Sequence, residues 1–138
     1  MVVQLITPKL KKMNLYADVH KDLSVNPISK DIALKRNEEA VKESIKNLIL
    51  TDKGERLMQP LIGGNIRAML FENNTPAVIK RIQEQVRITI ETYEPRCSLI
   101  DVNVLSSLDD NTVKIDIYFY INNVADPITL TVFLERTR

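Results

Sequence analysis

A chain of 138 residues, 44% apolar and 27% charged, is long enough to bury one core without disulfide or metal staples. Its single cysteine, Cys97, excludes an internal disulfide and any cysteine-based zinc cluster. No apolar run approaches a membrane span, and Met1 to Leu5 lack the charged start and long apolar core of a signal peptide, so a soluble protein made in a cytoplasm is expected.

The net charge of +1 is unevenly distributed. Residues 1–36 hold seven Lys or Arg against three acids, and the rest of the chain holds twelve against fifteen. A basic leading segment can mark a nucleic-acid binder. Here the lysines are scattered and Tyr16 is the one aromatic among them, which favours a solvated arm docking on an acidic protein surface. Residues 1–30 carry no sustained period and are punctuated by Pro8 and Pro27, so they are predicted as an extended N-terminal arm preceding a single domain over 31–138.

The first helix is predicted from Asn37, as N-cap, to about Leu50 or Thr51. Glu38 and Glu39 lie at the positive end of its dipole, and Val41, Ile45, Leu48 and Ile49 form one stripe. Every glycine of the protein then falls between Thr51 and Gly64, a shaped connector in which Gly54, Glu55, Arg56 and Gly63 stand out. Its spacing matches no phosphate-binding loop, and no Lys-Ser/Thr pair follows Gly64. A short helical turn over Ile66–Phe71 is expected to bury Ile66, Met69, Leu70 and Phe71. Thr75-Pro76 is a strong helix start, and Ile79, Ile82, Val86, Ile90 and Tyr93 make the apolar stripe that follows.

That helix must stop at Tyr93-Glu94-Pro95-Arg96, because proline disfavours helical geometry in the residue before it. Three alternating segments follow: Ile100, Val102 and Val104; Val113 to Ile121; and Ile128, Leu130, Val132 and Leu134, with Phe133 among the outward residues of the last. Short links favour an antiparallel meander. The predicted fold is α+β: two main helices and short helical turns on a small three-stranded antiparallel sheet, with an extended N-terminal arm.

Catalytic chemistry finds few candidates. His20 is the only histidine and lies in the arm, so neither a histidine metal site nor a base for a Ser or Cys nucleophile is available. No metal and no cofactor is expected. Paired carboxylates for glycoside hydrolysis would come from Glu55, Glu72, Glu94 and Asp101. Arg96, two residues from Glu94, would keep that acid ionised, and tryptophan, common in sugar clefts, is absent. The alternative places Glu94 in an ion pair at an interface.

Asn37-Glu38-Glu39-Ala40-Val41, Ser44 to Thr51, Gly54-Glu55-Arg56, Pro60, Gly63, Leu70-Phe71-Glu72 and Tyr93-Glu94-Pro95-Arg96 form an ordered set leading into a β-rich tail. Over about residues 22–138 this resembles the small baseplate wedge protein of contractile-tailed phages, the gene product twenty-five family, whose relatives include a baseplate component of type VI secretion systems. The resemblance implies a structural protein of the virion tail baseplate, assembled in the host cytoplasm. It implies six copies around the tail tube that start polymerisation of the contractile sheath. It implies that the corner of Tyr93, Glu94, Pro95 and Arg96 contacts the wedge core-bundle proteins, and that the tail sheath protein docks by strand addition, for which Ile128, Leu130, Val132, Phe133 and Leu134 are the candidate strand. Neither nucleic acid nor membrane is an expected partner. The family has also been labelled lysozyme-like, which leaves as alternative functions a peptidoglycan glycosidase using Glu94 with Asp101 or Glu55, or the equivalent baseplate component of a type VI secretion system.

Overall fold

The computed structural model describes residues 15–72, 75–107 and 112–135, and the chain divides into two units, Met1–Asn37 and Glu38–Arg138. The part of the predicted arm over 1–14 lies outside the described residues, as does 108–111 of the polar turn expected over Leu105–Asn111, whose first three residues instead continue the strand Cys97–Ser107.

In the first unit, β1 (Ala17–Val19) pairs antiparallel with β2 (Leu34–Arg36), Ala17 opposite Arg36 and Val19 opposite Leu34. A bridge between Val25 and Ile32 extends the ribbon towards its tip, where Asn26 Oδ1 accepts from Ile28 N at 2.9 Å and turns the chain over Pro27. The segment predicted as a featureless arm is thus, from Leu15 onward, one limb of a β-ribbon. Three-residue strands are too short to display an alternation, so composition alone reads as irregular. Asn37 closes the ribbon. Its Oδ1 accepts from Leu15 N at 2.8 Å and its N–H donates to Tyr16 O at 2.8 Å. Its φ of 50° is left-handed, whereas an N-cap residue ordinarily has extended backbone, which corrects the expected capping geometry.

The second unit opens with α1 (Glu38–Leu50), which buries Val41, Ile45, Leu48 and Ile49 as predicted, together with Ala40. After the connector, α2 (Ile66–Leu70) buries Ile66 and Leu70. Phe71, expected inside, is exposed and Met69 only half-buried, because five residues of helix offer one short stripe. In α3 (Pro76–Tyr93), Thr75 Oγ1 accepts from Val78 N at 3.3 Å and Pro76 takes the first helical position. Ile82, Val86 and Ile90 are buried with Val78 and Thr89, while Ile79 and Tyr93 sit at the edge of the stripe.

Strands β3 (Cys97–Ser107), β4 (Thr112–Ile121) and β5 (Pro127–Glu135) form the antiparallel meander in that order. Helix α3 packs on β3, and α1 packs on α3 and β5, so helices cover one face of the sheet. That face is built from Val102 and Val104 of β3, Val113 to Ile121 at alternate positions of β4, and Ile128, Val132 and Leu134 of β5. Each of these, fully buried, contributes about 1.5–3 kcal/mol of apolar transfer.

One predicted phase differs. Leu99 opposes Phe119 and Asp101 opposes Tyr118, which leaves Ile100 as the extra residue of a β-bulge. Ile100 is exposed, not inward like Val102 and Val104, because the bulge resets the alternation between Leu99 and Val102.

On the far face, Asp116 is nearly buried: Lys114 Nζ lies 2.8 Å from its Oδ2, and Thr131 Oγ1 donates to its Oδ1 at 2.6 Å, a bond that crosses from β5 to β4.

Candidate functional site

The corner that ends α3 is built from the backbone outward. Glu94 leaves the helix with φ −123° and ψ 78°, its N–H still donating to Ile90 O at 2.9 Å. Pro95 then prevents another turn. The β4–β5 turn clasps the corner from the other side: Asn122 Nδ2 donates to Pro95 O at 2.9 Å and Asn122 N to Arg96 O at 3.0 Å.

Within this frame Arg96 folds back on Glu94. Nε reaches Oε1 at 2.6 Å and Nη2 reaches Oε2 at 2.9 Å, a two-pronged contact of the kind that fits a planar guanidinium to a carboxylate. The Glu94 side chain is 2% exposed and that of Arg96 25%. Burial pushes the Glu94 carboxyl up. The hydrogen bonds from Arg96 and from Ser44 on α1, with the Arg96 charge, outweigh it and hold the group below its ordinary value. Cys97, next in sequence, has its thiol pushed up to about 11 by burial and by the neighbouring Glu94 charge.

Glu94 and Arg96 are therefore brought together, as the interface reading expects of the two charges, but they meet each other inside one chain. Pro95 is exposed and Tyr93 and Arg96 half-buried, so these three, not the Glu94 carboxylate, form the outward part of the corner. Tyr93 also works inward, where its hydroxyl donates to Leu61 O at 2.8 Å and ties the connector to the end of α3.

The connector residues act through the backbone. Gly54 (φ 92°) and Gly63 (φ 126°) are both left-handed, and a Cβ on Gly63 would run into Thr51 O. Glu55 Oε2 accepts from Asp52 N at 3.0 Å, and the Arg56 side chain is exposed.

In β5, Ile128, Val132 and Leu134 are committed to the core, Leu130 is half-buried, and Phe133 is 64% exposed on the far face. Strands β3 and β5 are the two edges of the sheet, and they differ. Gln83 of α3 donates to Val102 O in β3, and Arg87 Nη2 lies 3.7 Å from Asp101 Oδ1. Beside the end of β5 lies a cavity of about 550 Å³ lined by Leu50, Arg67, Leu70, Phe71, Phe133, Leu134 and Glu135.

The four candidate acids each have a different partner. Glu55 binds Asp52 N at 3.0 Å, Glu72 binds Arg81 at 3.0 Å, Glu94 binds Arg96, and Asp101 faces Arg87. A glycosidase acid needs a carboxyl held above its usual range, and Glu94 is shifted the opposite way. His20 is half-buried in the ribbon, its Nδ1 accepting from Asp22 N at 3.2 Å. Among the described residues no His, Cys, Asp and Glu cluster is placed to hold a metal ion, and no helix is long and apolar enough to cross a membrane.

Ser44, Gln83 and Asn122 complete the site, and sequence reasoning does not single them out. Asn122 carries the one usable signal, an Asn-Asn turn opposite the corner.

The chain is similar to known proteins over most of its length. The model of the family described as baseplate wedge protein gp25 matches residues 35–125. Baseplate wedge protein gp25 of Enterobacteria phage T4 is 30% identical over 114 residues, covering 83% of this chain and 86% of that protein. A crystal structure from Geobacter sulfurreducens, provisionally described as a tail lysozyme, superposes with a TM-score of 0.70 at 24% identity, covering 77% of this chain and 96% of that one. A chain of the anti-feeding prophage baseplate superposes with a TM-score of 0.62 at 21% identity, covering 89% and 87%. These two structures share the fold. With its family model matched from the first helix through the corner and its phage T4 relative aligned nearly end to end, the chain belongs to the baseplate wedge protein gp25 family of contractile tail systems.

Proposed function

We propose that the protein is a non-enzymatic joint of the inner baseplate wedge that initiates the contractile sheath. The edge of β5 accepts a strand from the tail sheath protein, and the corner formed by Tyr93, Pro95 and Arg96 seats on the wedge core-bundle proteins, with Glu94 holding Arg96 in place from within. The observation that carries this reading is the asymmetry of the sheet. The Val102 carbonyl of β3 is taken by Gln83 of α3, whereas the edge of β5 lies beside a cavity lined by Leu50, Leu70, Phe71 and Leu134 with Arg67 and Glu135. Strand addition draws affinity from main-chain hydrogen bonds and specificity from pockets for alternate side chains, and an edge next to a cavity provides both. Six copies around the tail tube agree with the six-fold symmetry applied to the anti-feeding prophage baseplate that contains a structural neighbour.

The test separates the two surfaces. Phe133→Asp, on the exposed face of β5, is expected to leave wedge incorporation intact and stop sheath growth. Arg96→Ala, in a preparation shown by circular dichroism to be folded, is expected to lose wedge incorporation itself. Normal sheath on the first variant would remove the strand-addition reading, and normal wedges with the second would remove the corner. Turnover of purified peptidoglycan abolished by Glu94→Gln would replace the non-enzymatic reading with a glycosidase.

A further inference from the structure

The backbone of β5 has a definite polarity across the strand. Asn122 N donates to Arg96 O at 3.0 Å, so the residue just past β4 aims its main-chain groups at β3. Successive residues of a strand aim these groups at opposite neighbours. Ile121, one residue back, therefore faces β5, and its carbonyl accepts from Val124 N at 2.9 Å within the β4–β5 turn. The pairing of β4 with β5 runs without a shift, so the alternation carries through: Phe119, Ile117, Ile115 and Val113 bond to Ile128, Leu130, Val132 and Leu134. The N–H and C=O groups of Thr129, Thr131, Phe133 and Glu135 are then directed to the outer edge. Both edges of the sheet agree with this assignment. Pro127, which has no N–H to offer, falls in the outward set, where proline is tolerated. Across the sheet the same alternation turns Val102 O outward, and there Gln83 reaches it.

A strand laid along this edge places the residues level with Thr129, Thr131 and Phe133 over the far face of the sheet. Those level with Leu130, Val132 and Leu134 fall on the helix face. At the last of these the helix layer is open. Leu50 ends α1, Leu70 ends α2, and with Leu134 they line the cavity of about 550 Å³, which Phe71, 70% exposed, also lines. An apolar side chain arriving there takes the surface of three leucines out of water. Arg67 and Glu135, in the same lining, are exposed and opposite in sign, so together they attract neither charge.

We infer that the strand taken up by β5 is read at one position: the residue level with Leu134 carries a large apolar side chain, and that side chain enters the cavity. The outward main-chain groups from Thr129 to Glu135 set the register, and Leu50, Leu70 and Phe71 set the specificity. A row of main-chain donors and acceptors matches an extended backbone, so the occupant is a strand; under the reading above it belongs to the tail sheath protein. The inference rests on that strand-addition reading and adds a register and a side-chain class to it.

The test mixes the purified full chain with the tail sheath protein and follows hydrogen exchange at single amides. Exchange is expected to slow at Thr129, Thr131, Phe133 and Glu135, and in one segment of the sheath protein, which identifies the added strand. Leu50→Trp, which fills the cavity, is expected to lower the affinity about tenfold or more and to release the amides of Phe133 and Glu135 while those of Thr129 and Thr131 stay slowed. Alanine placed along the sheath segment one position at a time then restores binding at a single position. Phe71→Ala, at an exposed site where the unfolding midpoint should not move, weakens the parent complex about tenfold. Slowed exchange with full affinity for Leu50→Trp or Phe71→Ala, or restoration by alanine anywhere along the segment, would overturn the inference and leave strand addition standing. No slowing at those amides would remove strand addition, and the inference with it. Slowing that needs no sheath protein and grows with the concentration of this chain would assign the edge to a second copy and overturn it as well.

Discussion

Arg96, beyond α3, forks onto the carboxylate of Glu94, Nε on Oε1 at 2.6 Å and Nη2 on Oε2 at 2.9 Å, so a single buried charge ties the end of the second long helix to the start of the sheet. Removing Arg96 leaves that carboxylate in place at 2% exposure with its main counter-charge gone. Arg96→Ala is expected to cost about 3 kcal/mol, the lower part of the range for a broken buried pair because a quarter of Arg96 is in water. Urea unfolding should give a lower midpoint at unchanged slope. Arg96→Lys, which keeps the charge and loses the fork, should fall between Arg96→Ala and the parent.

The same pair sets an acid limit on stability. Burial raises the Glu94 carboxyl, the bonds from Arg96 and Ser44 lower it by more, and the result lies below the ordinary 4.5. Asp116 moves in the same direction, because the bonds from Lys114 and Thr131 exceed the effect of burial and hold it below 3.8. A folded-state pKa below the unfolded one means that the unfolded chain binds more protons. The contribution is complete above the unfolded pKa and is lost as pH falls through the folded value. Urea midpoints measured from about pH 6 down to about pH 3 should therefore fall, most steeply below 4.5. Glu94→Gln should flatten that fall; an unchanged slope would mean that the pair is not its source.

Much of this could be read from the residues in advance, and the exceptions have physical causes. Thr75-Pro76, the stop at Pro95 and the alternation from Val113 to Ile121 are local rules, and each appears where the sequence places it. The β1–β2 ribbon does not announce itself, because its pairing joins residues fifteen or more positions apart through strands of three. The bulge at Ile100 is equally silent, since inserting one residue into a strand changes the phase and not the composition. At the corner, the charges and the rigid residue are legible from Glu94-Pro95-Arg96. That the corner is clasped from the β4–β5 turn depends on Asn122, which comes from another element and shows in the sequence only as part of an Asn-Asn turn.

The two left-handed glycines should respond differently to alanine. A Cβ on Gly54 meets nothing, so Gly54→Ala bears only the backbone penalty, about 1 kcal/mol. At Gly63 the same methyl collides with the Thr51 backbone and with φ 126° as well, and a loss of about 3 kcal/mol or more is expected. Thermal unfolding of the two variants beside the parent decides the order, and equal shifts would contradict the close approach.

Cys97 offers a chemical probe of the corner. With its thiol at about 11, almost no thiolate exists near neutrality, so alkylation by iodoacetamide at about pH 7.5 should be slow in the folded protein. Glu94→Gln removes the negative charge that helps raise the thiol, and alkylation should then accelerate without unfolding. A rate insensitive to that change would mean that burial alone protects the sulfur.

The hold of Gln83 and Arg87 on β3 gives the sheet a direction. A three-stranded sheet open on both sides could be threaded into a continuous run of strands from neighbour to neighbour. With Gln83 of α3 already on Val102 O, a strand adding along β3 would first have to displace that side chain, so the two edges meet an incoming strand on unequal terms.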